Sequence, residues 1–206
     1  MTKRGLYIVI EGLDGSGKTT QFDRLLSAYG DKIIGVREPG GTPMAEHIRT
    51  LVKDKAIGRS PRTNAFLFSA ARTEVIDTII RPAIARGKHV LADRNWLSTL
   101  AYQSAEGLDT QAIEQLSKLA TQEFFKPDLV ILIDTDVATC RQRLHSRGGT
   151  AADYFDNLGD DYFTKVRRAY ITHIKQLPAS VIVDGNASID AVSDNMLQAT
   201  SQLLKP

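Results

Sequence analysis

The chain has 206 residues, 42% of them apolar, with 26 Lys and Arg against 24 Asp and Glu and a formal net charge of +2. That is too apolar for disorder and too nearly neutral for the basic stripe that draws nucleic acid, and the length suits one α/β domain. The single cysteine, Cys140, excludes an internal disulfide and a cysteine-only zinc site, and reads as a small buried residue on a helix.

The first apolar run, residues 6–10, is rich in β-branched residues and reads as a buried strand. It is too short for a signal segment or a spanning helix, so a soluble, cytoplasmic protein with neither membrane nor nucleic-acid partners is expected. The run leads into Gly12-Leu13-Asp14-Gly15-Ser16-Gly17-Lys18-Thr19, which fits G-x-x-x-x-G-K-[ST] at every fixed position. Residues 20–26 follow with apolar positions at helical spacing. Strand, glycine-rich turn and helix form the setting that a phosphate-cradling loop requires. Gly12, Gly15 and Gly17 let several backbone N–H groups converge, and the helix from Lys18 adds the positive end of its dipole. Lys18 would reach the β- and γ-phosphates of a nucleotide, and the Thr19 hydroxyl would ligate Mg²⁺. The competing reading is a glycine turn before an ordinary helix.

Further short apolar runs occur at 33–36, 89–92, 129–133 and 181–183, with helical patterns between them. Near-continuous apolar strands alternating with helices predict an α/β fold with a parallel sheet covered on both faces. Ligands then sit beyond the carboxyl ends of the strands. The stretches to read for chemistry are therefore 11–18, 37–42, 93–95, 134 and 184–187. No repeat, low-complexity tract or linker interrupts the chain, so residues 1–206 read as one domain.

After the second run, Pro39-Gly40-Gly41 forces a turn, and Thr42 is placed to cap a helix with Pro43 first and Glu46 in its first turn. Arg37 then stands at the ligand edge, as a phosphate ligand or as a surface arginine. A long helix is predicted from Pro61 to about Arg86, with Phe66, Leu67, Ala70, Ala71, Val75 and Ile79 toward the core. Pro82 should kink or end it, and Gly87 should terminate it. Phe68 and Arg72, four apart, share another face and could hold a flat base. The alternative, favoured by the helix taken alone, is a core aromatic beside a solvated arginine.

Asp93-Arg94-Asn95-Trp96 closes the third run, and Ser98, Ala101, Tyr102 and Gln103 follow on a short helix. Asp93 is a candidate for the Mg²⁺ surroundings or a base, Arg94 for a second phosphate ligand, and Trp96 for packing. Asp134 closes the fourth run. Arg141, Arg143 and Arg147 lead into Gly148-Gly149, which suits either a mobile flap or a solvated basic face. Residues 151–161 would be the flap's return. A helix at 162–176 would turn Lys165, Arg167 and Arg168 to solvent. The four histidines have no metal-ligand spacing.

The segments GLDGSGKTT, REPGGT, FLFSAAR and DRNWLSTLAYQ, in this order and with these gaps, resemble the thymidylate kinase family from Tyr7 to about Gly185. The resemblance implies a P-loop NTPase fold, a five-stranded parallel sheet flanked by helices with a small mobile LID at roughly 141–160, and a homodimer. It implies transfer of a phosphoryl group from ATP to dTMP with Mg²⁺, in deoxynucleotide biosynthesis. Gly12, Gly15, Ser16, Gly17, Lys18 and Thr19 would hold the ATP phosphates and metal, with Arg143 nearby and Asp93 as a second metal candidate. Asp14 would meet the sugar 3′-hydroxyl, and Arg37 and Arg94 would hold the acceptor phosphate. Phe68 would stack on thymine, Arg72 and Gln103 would read its edge, and Tyr102 would crowd the 2′ side of the sugar. Ser16 leaves the loop without an arginine, so Arg147 of the LID would serve the transferring phosphoryl, as in bacterial-type members. Lys18, Asp93, Arg94 and Arg147 form the implied catalytic set. Two departures are Asn95, where the family often has an aromatic or histidine, and Asp153-Tyr154, where bacterial members often carry another arginine. The rivals are a broad-specificity deoxynucleoside monophosphate kinase, a regulatory GTPase, disfavoured because no N-K-x-D follows an apolar strand, and a nucleotide-binding protein without transfer activity.

Overall fold

A computed structural model describes residues 4–54, 56–146 and 159–204. Five parallel strands form one sheet: β1 (Tyr7–Glu11), β2 (Ile33–Arg37), β3 (His89–Asp93), β4 (Leu129–Asp134) and β5 (Ser180–Asp184), in the order β2-β3-β1-β4-β5. Each strand lies within a residue of an apolar run. Parallel neighbours need crossovers, and helices supply them: α1 (Lys18–Tyr29), α2 (Pro43–Lys53), α3 (Pro61–Val75), α4 (Arg81–Ala85), α5 (Trp96–Ala105), α6 (Thr110–Thr121), α7 (Val137–Ser146), α8 (Asp160–Ile174) and α9 (Ile189–Ser201).

The sheet is buried on both faces, and the side-chain alternation of β1 shows how. Tyr7 and Val9 join a core with Val75, Leu100, Phe163 and Tyr170, while Ile8 and Ile10 join another with Phe22, Leu25 and Met196. Each buried side chain of this kind contributes about 1.5–3 kcal/mol. α1 therefore leaves β1 on one face, and α5 leaves β3 on the other. The divergence opens a crevice at the carboxyl ends of these adjacent strands.

Local signals mostly operate as expected. The Thr42 hydroxyl accepts from the Ala45 N–H at 3.1 Å, with Pro43 at the first helical position. Pro82 is accommodated by a π-helical turn at Ile76–Ile80 before α4, which gives its ring room against the preceding carbonyls. Gly87, at φ 81°, follows the end of α4. Trp96 is buried and stacks on Phe125 at 4.3 Å. Cys140 is buried on α7, and burial pushes its thiol up to about 11.

Two expectations are corrected. The inward stripe of α3 is Asn64, Ala65, Ser69, Ala71, Arg72 and Val75, whereas Phe66 is 57% exposed and Ala70 also faces out. Asn64 and Arg72 turn inward because Arg59 and Glu38 meet them there. Arg167 does not simply face solvent: it grips Asp134 through two hydrogen bonds of 2.6 and 2.9 Å, tying α8 to the end of β4. Of the LID, residues 147–158 lie outside the described residues, Arg147, Gly148, Gly149 and Tyr154 included; α7 runs to Ser146 and α8 starts at Asp160. Among the described residues, no helix is long and apolar enough to cross a membrane.

Candidate active site

The loop after β1 packs too tightly for side chains at two of its glycines. A Cβ on Gly15, at φ 84°, would lie 2.4 Å from the Cys140 carbonyl oxygen, and one on Gly12 would lie 2.6 Å from that of Ile133. The loop is therefore seated against α7 and β4, with α1 starting at Lys18. The Lys18 ammonium donates to the carbonyls of Gly12 and Leu13 at 2.9 and 2.7 Å. Burial, reinforced by Arg94, lowers its pKa to about 8.

One cleft of about 260 Å³ joins this loop to the ends of β2 and β3 and to α3 and α5. Asp14, Gly15, Gly17, Lys18, Thr19, Arg37, Phe68, Arg72, Asp93, Arg94, Tyr102 and Gln103 all line it. Gly12, Ser16 and Arg143 do not. Ser16 is buried beneath the loop, and Arg143 donates to the carbonyl of Gly185, joining α7 to the end of β5. Arg147 lies outside the described residues.

The charged groups are wired in pairs. Arg94 meets Asp14 at 2.5 Å and lies over the Tyr102 ring, 5.3 Å from its centroid. Burial alone would raise the Asp14 carboxyl, but Arg94 and Lys18 outweigh it and hold the group well below the usual carboxylate range. Tyr102 donates to the same carboxylate at 2.9 Å. Arg37 donates to Asp93 Oδ2 at 3.1 Å, leaving Asp93 Oδ1 buried with no protein partner.

On the α3 side the solvated-arginine reading fails: the Arg72 side chain is 3% exposed. It meets Glu38 at 2.6 Å and also donates to the Asn95 carbonyl and the Thr99 hydroxyl. Its Nη1 has no protein partner. Gln103 donates its amide to Glu106 at 3.1 Å, which fixes the orientation of the amide, and its buried Oε1 is likewise without a partner. The two residues that carry this orphan donor and orphan acceptor line the cleft together with Phe68.

Sequence reading assigned no role to four contributors, although Glu11 and Glu38 fall in the stretches it singled out. Glu38 pairs with Arg72, Arg49 also lines the cleft and donates to the Pro39 carbonyl at 2.7 Å, and Glu11 and Tyr170 lie behind Arg94. An acidic residue at the carboxyl end of a strand was the available signal for Glu11 and Glu38. Nothing local marked Tyr170. Among the described residues, no three His, Cys, Asp or Glu side chains converge as a metal-ligand group.

A phosphate-loop sequence after the central strand of this parallel sheet, opening on such a cleft, defines a P-loop NTPase fold. The model of the family described as thymidylate kinase matches residues 10–196. A thymidylate kinase of Nitrosospira multiformis is 36% identical over 92% of this chain and 93% of its own. Those of Glaesserella parasuis and Hahella chejuensis are 34% and 36% identical, over 98% of this chain and 98% and 99% of theirs. The chain belongs to the thymidylate kinase family.

Proposed function

We propose that the chain transfers the γ-phosphoryl group of ATP to dTMP, giving dTDP and ADP, and that the cleft holds both substrates. The observation that carries this reading is the pair of orphan atoms on Arg72 and Gln103, two residues that line the cleft with Phe68. Thymine presents a carbonyl acceptor and an N–H donor on adjacent edge atoms, which suit Arg72 Nη1 and Gln103 Oε1. Cytosine presents the reverse pattern and would leave both protein atoms unpaired, which discriminates strongly.

In this reading Phe68 stacks on the base, Asp14 receives the 3′-hydroxyl, and Tyr102 closes the 2′ side. Arg37 and Arg94 orient the acceptor phosphate in line with the donor, and Lys18 turns from its two carbonyls to the β- and γ-phosphates. Gly12, Gly15, Ser16 and Gly17 shape the loop whose backbone N–H groups cradle phosphate, and Arg143 flanks the donor side. Ser16 supplies no cation, so Arg147 neutralises charge on the transferring group. No covalent intermediate is needed.

Thr19 and Asp93 line the same cleft, Asp93 with one carboxylate oxygen free of protein partners, and two hard oxygen donors suit Mg²⁺, which takes its remaining ligands from phosphate and water. The ion would supply charge neutralisation to the bound phosphates. Thr19 and Asp93 would hold it.

We also infer a homodimer. Exposed Met44, Phe66 and Leu119 leave large apolar side chains on α2, α3 and α6 for a second copy to cover. Sedimentation of wild type against Phe66→Glu tests this. A cytoplasmic location fits the use of ATP.

The deciding experiment is ADP release measured on dTMP, dUMP, dCMP and dGMP side by side. Preference for dTMP over dCMP and dGMP by at least about a hundredfold in kcat/KM is expected. With dUMP intermediate, the lost methyl is worth about 1–3 kcal/mol. Comparable efficiency on all four would move the protein to the broad-specificity alternative.

A further inference from the structure

Arg94 is held in an unusual way. Its backbone lies at φ 78°, a left-handed conformation that a non-glycine residue keeps only when its surroundings impose it. The backbone N–H is fixed to the Ile10 carbonyl at 2.9 Å. Its Nη1 donates to the Ser98 hydroxyl at 2.8 Å and to the Tyr170 hydroxyl at 3.0 Å, as well as to the Gly12 carbonyl at 3.3 Å.

Behind these hydroxyls lies Glu11, which is fully buried. Its Oε2 accepts from Ser98 Oγ at 2.6 Å and from Tyr170 at 3.0 Å. Its Oε1 accepts the backbone N–H groups of Asn95 and Ser98 at 2.8 and 3.2 Å, so the carboxylate also anchors the start of α5 directly after Arg94. A hydroxyl has one proton, while Arg94 can only donate. The two hydroxyls stand 2.8 Å apart, so Tyr170 can donate to Glu11 or to Ser98. In either arrangement the protons run to Glu11 and the lone pairs face Arg94.

We propose that Glu11, Ser98 and Tyr170 are positioning residues for Arg94, a buried relay that aims its guanidinium at the acceptor phosphate. This rests on the reading of Arg94 as an acceptor-phosphate ligand. β1, α5 and α8 each contribute one member, so the orientation of Arg94 depends on how these three elements pack. Aspartate 14 takes the Nη2 side, and the relay takes Nη1.

The test is a double-mutant cycle on the full chain. Tyr170→Phe keeps the packed ring and removes one hydrogen bond to the guanidinium. It should lower kcat/KM for dTMP by at least about tenfold, in line with the loss of a hydrogen bond to a charged group, and leave KM for ATP within about twofold. Ser98→Ala should behave in the same way. In an Arg94→Ala background, Tyr170→Phe should cost nothing further, because the group it positions is gone. An equal loss in both backgrounds would mean that the Tyr170 hydroxyl acts independently of Arg94, and overturns the proposal. So does a severe Arg94→Ala defect alongside Tyr170→Phe and Ser98→Ala enzymes within twofold of wild type. If Arg94→Ala itself leaves kcat/KM for dTMP unchanged, the reading of Arg94 fails, and the relay has no group to serve.

Discussion

Tyr102 donates its hydroxyl to Asp14 Oδ2 at 2.9 Å, and the other oxygen of that carboxylate meets Arg94 at 2.5 Å. The tyrosine is thus bonded to the phosphate loop as well as filling space. Its Phe variant, which a purely steric role would leave near wild type, should lose about tenfold in kcat/KM for dTMP, since Asp14 loses one of its fixed donors. It should still reject the ribonucleotide. The Ala variant should lose both efficiency and rejection. Rates on deoxy- and ribonucleotide acceptors decide this; a Phe variant indistinguishable from wild type would show the hydroxyl to be idle.

Glu38 and Arg72 are each 3% exposed in their side chains and meet at 2.6 Å. Burial raises the Glu38 carboxyl, and Arg72 opposes that shift. Glu38→Ala leaves a buried guanidinium without its counter-charge and should cost about 3–5 kcal/mol of stability. Glu38→Leu combined with Arg72→Met should recover most of the urea midpoint while dTMP binding stays lost. A Glu38→Ala protein as stable as wild type would contradict the buried pair.

Lys18→Ala should lower phosphoryl transfer by about a hundredfold or more, because a positioned cation facing developing charge is lost. The protein should stay folded, since the ammonium is already held at a cost in solvation. Coupled assay and thermal melt together check this. A loss under about tenfold, or 1.4 kcal/mol, sinks the assignment.

Arg143 and Arg147 should separate kinetically. Arg143 donates to the Gly185 carbonyl at 3.1 Å, so Arg143→Ala should chiefly raise KM for ATP. Arg147→Ala should lower kcat far more than it alters KM, since an arginine on the transferring group acts in the transition state. Comparable arginines contribute about 10³–10⁵ in rate. Lysine at 147 should rescue only in part, for want of the planar fork. A kcat within about fivefold of wild type for Arg147→Ala refutes its role.

Phe68, Arg72, Tyr102 and Gln103 were expected at the site only through the resemblance to the family, whereas by itself the sequence determined the five strands, the phosphate loop, the Thr42 cap and the placing of Arg37, Asp93 and Arg94 at one edge. These follow from short-range pattern: continuous apolar runs make buried strands, and a parallel sheet puts every following loop at the same end. Only the tertiary structure decided which face of α3 turns inward, that Arg72 is buried on Glu38, that Arg167 grips Asp134, and that Tyr170 reaches Arg94 from α8. The reason is the same in each case. A lone arginine belongs in water, because burying an unpaired charge is costly. Whether it has a partner depends on residues 34, 33 and 76 positions away, which no local periodicity encodes.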